Sequence, residues 1–208
     1  MSSIEELITG TAVGIKASDG VVLAAEKRVA YGFTMFSRSG RKVFRVNDNI
    51  GIASIGILAD MQVLTKIAKA YMSLYALDTK TRPSIRSAAK LLSYVLFSNR
   101  VFPYFVEVLV GGVDDEGGPH MYIMDALGSL IEDDYAAVGT GNKLAIAVLE
   151  GNYKQGGMNV KEARELAIKA INQSISRDPV SGGDGIDILT ITRSGSTEET
   201  IPLQPLRL

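Results

Sequence analysis

The order of the periodic segments constrains this chain most. Short β-rich runs come first, Ala12 to Ala17 and Val21 to Glu26, separated by the turn cluster Ser18-Asp19-Gly20. Val43 to Val46 and Ile50 to Ile55 follow, joined by Asn47-Asp48-Asn49. A helix is predicted from about Leu58 to Leu77, with Met61, Leu64, Ile67, Ala68, Tyr71, Leu74 and Tyr75 on one stripe. Asp78 to Pro83 breaks it, and Ser84 reads as the N-cap of a second helix reaching about Phe102, ended by Pro103. Strand patterns return at Phe105 to Val110, Met121 to Asp125, Ser129 to Glu132 and Tyr135 to Val138, with turns at Asp114 to Gly118 and Ala126-Leu127-Gly128. Two further helices fit Lys143 to Gly151 and Val160 to Ser176, and strands Ile186 to Thr192 and Glu198 to Ile201 close the chain. Strands, two helices, strands, two helices, strands: such segregated runs predict α+β layers, two sheets covered by helix pairs, and not alternating βαβ units. No repeat or linker interrupts the 208 residues, so one domain is expected.

Composition excludes several functions. With 22 basic and 23 acidic residues there is no field favouring nucleic acid or an anionic membrane, and no zinc-finger spacing. No apolar run approaches the roughly 18 residues of a membrane span, and Met1 to Gly10 lacks a signal-peptide core, so a cytoplasmic protein is expected. Cysteine is absent, which removes disulfides, thiolate catalysis and cysteine metal sites. The single histidine, His120, reads as a strand-edge surface residue, and neither a cofactor nor a metal is expected.

Local motifs are weak alone. Gly139-Thr140-Gly141 lacks the lysine of a phosphate loop, and Ser181-Gly182-Gly183-Asp184-Gly185 lacks EF-hand spacing. Both read as tight turns. Asp114-Asp115 and Asp133-Asp134 read as solvated turns, and the tyrosines and methionines of the Met61 to Tyr75 segment as core or subunit-contact residues.

A dispersed constellation is more specific. It comprises Thr11-Ala12-Val13-Gly14-Ile15, Asp19-Gly20-Val21-Val22-Leu23-Ala24-Ala25-Glu26-Lys27-Arg28, Arg41-Lys42-Val43-Phe44, and Gly51-Ile52-Ala53-Ser54-Ile55-Gly56 with Ala59-Asp60-Met61-Gln62. Phe102-Pro103-Tyr104, Val110-Gly111-Gly112-Val113-Asp114, Gly139-Thr140-Gly141 and Arg177-Asp178-Pro179-Val180-Ser181-Gly182-Gly183 continue it. From about residue 10 to residue 193 the chain closely resembles the β subunits of the archaeal 20S proteasome. The α subunits' N-terminal helical extension is not evident in the leading residues, which favours β.

The resemblance implies an N-terminal nucleophile hydrolase with a four-layer αββα sandwich. Residues 1–10 would be a propeptide or N-terminal extension, and residues 11–208 one β-type domain. In such subunits a zymogen cleaves itself at a Gly-Thr bond. The freed threonine hydroxyl then attacks peptide carbonyls, with its own α-amine as base. Carried over by motif, Lys42 would be the buried lysine whose charge activates the nucleophile, and Glu26 its carboxylate partner where aspartate is commoner. Arg28 would support that network, and the Gly56 N–H would serve the oxyanion hole. Asp178 and Ser181 would hold the free amine and a proton-shuttling water, with Thr140 in place of the usual serine. Ala30 replaces a threonine or serine whose backbone helps hold the substrate. Ser54, Val29 and Leu58 would line a moderately apolar pocket. Implied partners are α subunits and other β subunits in stacked heptameric rings, a regulatory ATPase reached through the α ring, and unfolded polypeptides.

The start of the chain carries a conflict. Gly10-Thr11 is the expected self-processing dipeptide and makes Thr11 the candidate nucleophile. Counting back without a gap from Val13-Gly14, however, puts Gly10 at the nucleophile position, and the same count lands cleanly on Glu26, Arg28, Lys42 and Gly56. One residue of shift turns a strand side chain to the opposite face and moves it by about 3.4 Å. Three hypotheses stand: an active threonine protease subunit using Thr11, a structural β subunit whose partner β chain supplies catalysis, and an amidohydrolase of the same fold outside the proteasome.

Overall fold

In the computed structural model, which describes residues 9–155 and 157–203, the elements run in chain order. They are β1 (Thr11–Lys16), β2 (Gly20–Glu26), β3 (Val29–Tyr31), β4 (Thr34–Ser37), β5 (Val43–Arg45), β6 (Ile50–Gly56), α1 (Leu58–Thr79), α2 (Ile85–Ser98), β7 (Val106–Asp114) and β8 (Gly118–Met124). Then come β9 (Ile131–Glu132), β10 (Tyr135–Gly139), α3 (Asn142–Asn152), α4 (Val160–Arg177), β11 (Gly185–Thr192) and β12 (Gly195–Pro202).

β2 is buried along its whole length, so both its faces need cover. Its alternation shows what supplies it. Val22 and Ala24 join a cluster with Ala145 and Leu149 of α3 and Ala163, Ala167 and Ile171 of α4. Val21, Leu23 and Ala25 pack instead with Ala53, Ile55, Leu109 and Met121. β2 thus sits centrally in an antiparallel sheet of order β10-β1-β2-β11-β12, facing a second sheet of order β5-β6-β7-β8-β9. The second sheet's far side, through Ile50, Ile52, Val108 and Val110, packs on Met61, Leu64, Ile85 and Leu92 of α1 and α2. The result is the expected αββα layering. Close approach of the sheets depends on Gly14, where a Cβ would lie 2.5 Å from Met121 Sδ.

The starts of α2 and α4 follow their side-chain caps. The Ser84 hydroxyl accepts from Ser87 N at 3.1 Å, and Asn159 with Glu162 forms a capping box that starts α4. α2 ends at Ser98 and not Phe102, because the chain enters tight turns in which Arg100 N donates to Phe97 O and Phe102 N to Asn99 O. On α1, Met61, Leu64, Ala68 and Met72 reach the core while Tyr71, Leu74 and Tyr75 stay exposed. The expected stripe is therefore too wide. The hairpin β3–β4, joined through Gly32 at φ +56°, has no counterpart in the sequence expectation. Its exposed Phe33, Met35 and Phe36 obscure the alternation that marks a half-buried strand. Among the described residues no helix is long and apolar enough to cross a membrane.

Candidate active site

The expected site residues converge at one end of the sheet pair. Glu26 closes β2 and Lys42 precedes β5. The two form an ion pair of which they expose 0% and 2% of their side chains. Burying such a pair requires further hydrogen bonds, and Glu26 has them. Its Oε1 accepts from Thr11 N at 3.0 Å as well as from Lys42 Nζ. Its Oε2 accepts from Arg28 N at 2.7 Å and Gly182 N at 2.9 Å. Four donors on one carboxylate join β1, β2, β5 and the 179–183 loop. Arg28 supports that loop from below, its Nη1 donating to Pro179 O at 2.7 Å.

A second network lies on the opposite face of β1. Asp178, the C-cap of α4, accepts on Oδ2 from Ser181 Oγ and from Thr140 Oγ1, each at 2.6 Å. Both hydroxyl protons are committed there. Thr11 Oγ1, 2.7 Å from Ser181 Oγ, is therefore the donor in that pair, and Thr140 Oγ1 accepts from Gly10 N at 3.1 Å. The turns Gly139-Thr140-Gly141 and Ser181 to Gly185 are walls of this site.

These two networks locate the residues in dispute. The Cα of Gly10 faces the ion pair: a Cβ built there would overlap Glu26 Oε1 and lie 2.5 Å from Lys42 Nζ. Thr11, expected as the nucleophile, points the other way, buried and bonded to Ser181. The cause is strand alternation. Ala12 packs between the sheets, while Val13 and Ile15 pack under α3 and α4. Position 10 accordingly belongs to the inter-sheet side and position 11 to the helix side. Slipping β1 by one residue would drive a branched side chain into the space Gly14 leaves beside Met121 and Leu23.

Gly56 ends β6 at φ +141°, a conformation that favours glycine, and a Cβ there would strike Phe105 O. Asp60 Oδ2 fixes the same loop by accepting from Phe105 N at 2.9 Å. Ser54 is buried, and its hydroxyl has no hydrogen-bond partner among the described residues.

Two contributors escaped the sequence reading. Glu107 of β7 accepts from Gly139 N at 2.6 Å, tying the second sheet to the turn that holds Gly10. A glutamate inside the apolar run Val106 to Val113 was the available signal. Thr9 is 6% exposed and donates through Oγ1 to Ala30 O at 2.8 Å, a contact between distant segments that no local pattern announces.

His120 stands apart from this site. Its Nδ1 lies 2.6 Å from Glu132 Oε1, and the Tyr122 hydroxyl donates to Glu132 Oε2 at 3.1 Å. The histidine hydrogen bond is the main cause holding Glu132 below the usual carboxylate range. Burial of Tyr122, together with Glu132, pushes its phenol up from 10.0 to about 12. Over that window the unfolded chain releases the proton and the folded chain keeps it, so stability falls as pH rises. Urea unfolding at stepped alkaline pH is expected to show a shallower decline for Tyr122→Phe than for the native chain. Equal slopes would dissociate Tyr122 from the alkaline loss.

A model of the proteasome subunit family matches residues 8–191. The chain is 56% identical over 202 residues to proteasome subunit beta 2 of Pyrobaculum calidifontis, spanning 97% of this chain and 98% of that protein. It is 51% identical, with the same coverage, to proteasome subunit beta 2 of Thermofilum pendens. To proteasome subunit beta 1 of Hyperthermus butylicus it is 48% identical over 183 residues, 88% of this chain and 89% of that one.

Proposed function

Because the chain belongs to the proteasome subunit family as one of its β-type members, we propose that it is a structural β subunit whose own site lacks a nucleophile. The family's β subunits are threonine peptidases, and they assemble with α and β subunits in rings. In this reading residues 11–208 form the β-type domain, and another β chain of the ring supplies the threonine. The rings are stacked heptamers in the cytoplasm. They degrade unfolded polypeptides delivered by a regulatory ATPase through the α ring.

The observation that carries the reading is the glycine beside Lys42. Threonine peptidase chemistry needs a hydroxyl at the lysine and a free amine as base. Gly10 has no hydroxyl, and its nitrogen is an amide donating to Thr140. Thr11 has the hydroxyl, on the face away from Lys42. Glu26, Lys42, Arg28, Asp178, Ser181 and Thr140 then serve to hold β1 and its neighbouring loops together, and Gly56 keeps its backbone turn.

The test is a Thr11→Ala variant in particles assembled with all partner subunits. Peptidase activity per assembled particle is expected to stay within about twofold of the native value, since Thr11→Ala removes one buried hydrogen bond worth on the order of 1 kcal/mol. Loss of this chain's share of activity, on the order of 10³-fold or more for a missing nucleophile, would instead establish the active reading. So would covalent labelling of Thr11 by an electrophile directed at N-terminal threonine.

A further inference from the structure

We propose that a cleft between the two sheets, at the end away from the candidate active site, binds a small hydroxylated phosphate ester. The proposal stands whichever chain of the ring supplies the nucleophile.

β2 and β6 finish at the candidate active site, with Glu26 and Gly56. The opposite end of the sandwich is built from the β5–β6 and β7–β8 turns of one sheet and the β11–β12 turn of the other. Between these turns, beside the α1–α2 loop, lies a cleft of about 420 Å³, within the range of roughly 300–1,000 Å³ usual for small-ligand sites.

The donors in this cleft suit an oxyanion. Arg193, exposed in the β11–β12 turn, lines it without an ion-pair partner among the described residues. Arg82 lines it from the α1–α2 loop and lies 3.6 Å from Asp115. That is too long for a hydrogen bond, so its donors remain available. Ser196 faces the same space. It pairs with Ile191, which packs between the sheets, so its side chain lies on the inter-sheet side. Its hydroxyl is buried and has no hydrogen-bond partner among the described residues, a destabilising arrangement that a bound oxygen relieves. Two planar guanidiniums and a hydroxyl match the several oxygens of one phosphate.

The acceptors define the rest of the ligand. Asp48 lines the cleft with 79% of its side chain exposed. The buried Asn49 amide makes one long contact, a donation to Val113 O at 3.4 Å. Both can accept from hydroxyl groups. Asp114 is engaged elsewhere, its Oδ1 accepting from Ile85 N at 2.8 Å. No aromatic residue lines the cleft among the described residues, so a nucleobase has nothing to stack on. Inorganic phosphate would leave the acceptors and much of the volume unused, whereas a phosphate carried on a short polyol uses both. Bound there, the ester ties the β11–β12 turn of one sheet to the β5–β6 turn of the other.

The experiment is calorimetric titration of assembled particles containing the full chain, with glycerol 3-phosphate, inorganic phosphate, glycerol and free glycine as probes. Glycerol 3-phosphate is expected to bind once per copy of this chain, and at least about threefold more tightly than inorganic phosphate through its added hydrogen bonds. Glycerol and free glycine are expected to give no saturable heat. Arg193→Gln changes an exposed side chain without an ion-pair partner and so spares the fold. It is expected to weaken binding at least about tenfold, the loss of one charge-assisted contact. Asp48→Ala is expected to shrink the preference for the ester without weakening inorganic phosphate. An affinity unchanged by Arg193→Gln, or no saturable binding of either phosphate, would overturn the site. Equal affinities for the ester and inorganic phosphate, or saturable binding of free glycine, would overturn the ligand class.

Discussion

Glu26→Ala is expected to lower the stability of the chain by about 3–5 kcal/mol, the cost typical of leaving one charge of a buried pair uncompensated. Lys42 exposes 2% of its side chain, so its ammonium cannot recover water. The same substitution strips an acceptor from three backbone N–H groups, those of Thr11, Arg28 and Gly182, each of which adds desolvation cost if left unpaired. Domains of this size are stable by only about 5–15 kcal/mol, so the loss is a large share of the whole.

The reverse deletion should be milder. Lys42→Met leaves a carboxylate that still accepts three backbone N–H bonds, so the remaining charge is partly solvated by the protein. Combining Glu26→Gln with Lys42→Met removes both charges and keeps both volumes. The double variant is expected to be less destabilised than the sum of the Glu26→Gln and Lys42→Met singles by at least about 1 kcal/mol, the range found for contacting groups. Urea denaturation of the four chains closes the cycle. Additive losses would mean that the two side chains are not coupled, and that the network is held by the backbone donors alone. On the structural reading, activity per assembled particle stays constant through the series while the yield of particle falls.

This network also marks how far the sequence could be read. The four layers were legible because strand and helix runs are segregated and β2 is apolar at every position. The site residues were legible as a constellation through resemblance, and the structure gathers Glu26, Lys42, Arg28, Thr140, Asp178 and Ser181 around Gly10 and Thr11. The gapless count from Val13-Gly14 already placed Gly10 at Lys42. Which of Gly10 and Thr11 faces Lys42 depends on the face of β1, and that is fixed by packing partners: Val13 and Ile15 under the helices, Ala12 and Gly14 against the other sheet. Thr9 on Ala30 and Glu107 on Gly139 were not legible, because each joins residues 21 and 32 positions apart through a single hydrogen bond. The hairpin β3–β4 and the exposed face of α1 failed for the opposite reason. Apolar residues there lie at the surface, where periodicity carries no information about the core.

On the proposed structural role, substitution at position 10 separates the steric from the chemical part of the site's silence. Gly10→Ala forces a Cβ against Glu26 and Lys42 at a backbone angle of φ +110°. Strain of this kind costs about 1–3 kcal/mol, with further loss from displacing the ion pair. A drop in melting temperature and no new cleavage of the chain by intact mass are therefore expected. Gly10→Thr carries the same strain and adds a hydroxyl on the side of Lys42. Cleavage between positions 9 and 10 would release the strain, because the φ constraint disappears with the preceding residue, and would free the α-amine that serves as base. The threonine variant is expected to yield a chain that begins at position 10, binds the electrophile and adds peptidase activity to the particle. The alanine variant is expected to do none of these. If the threonine variant stays uncut and unlabelled, the missing hydroxyl is not the sole defect, and closure of Glu26 and Lys42 over position 10 is itself enough to silence the site.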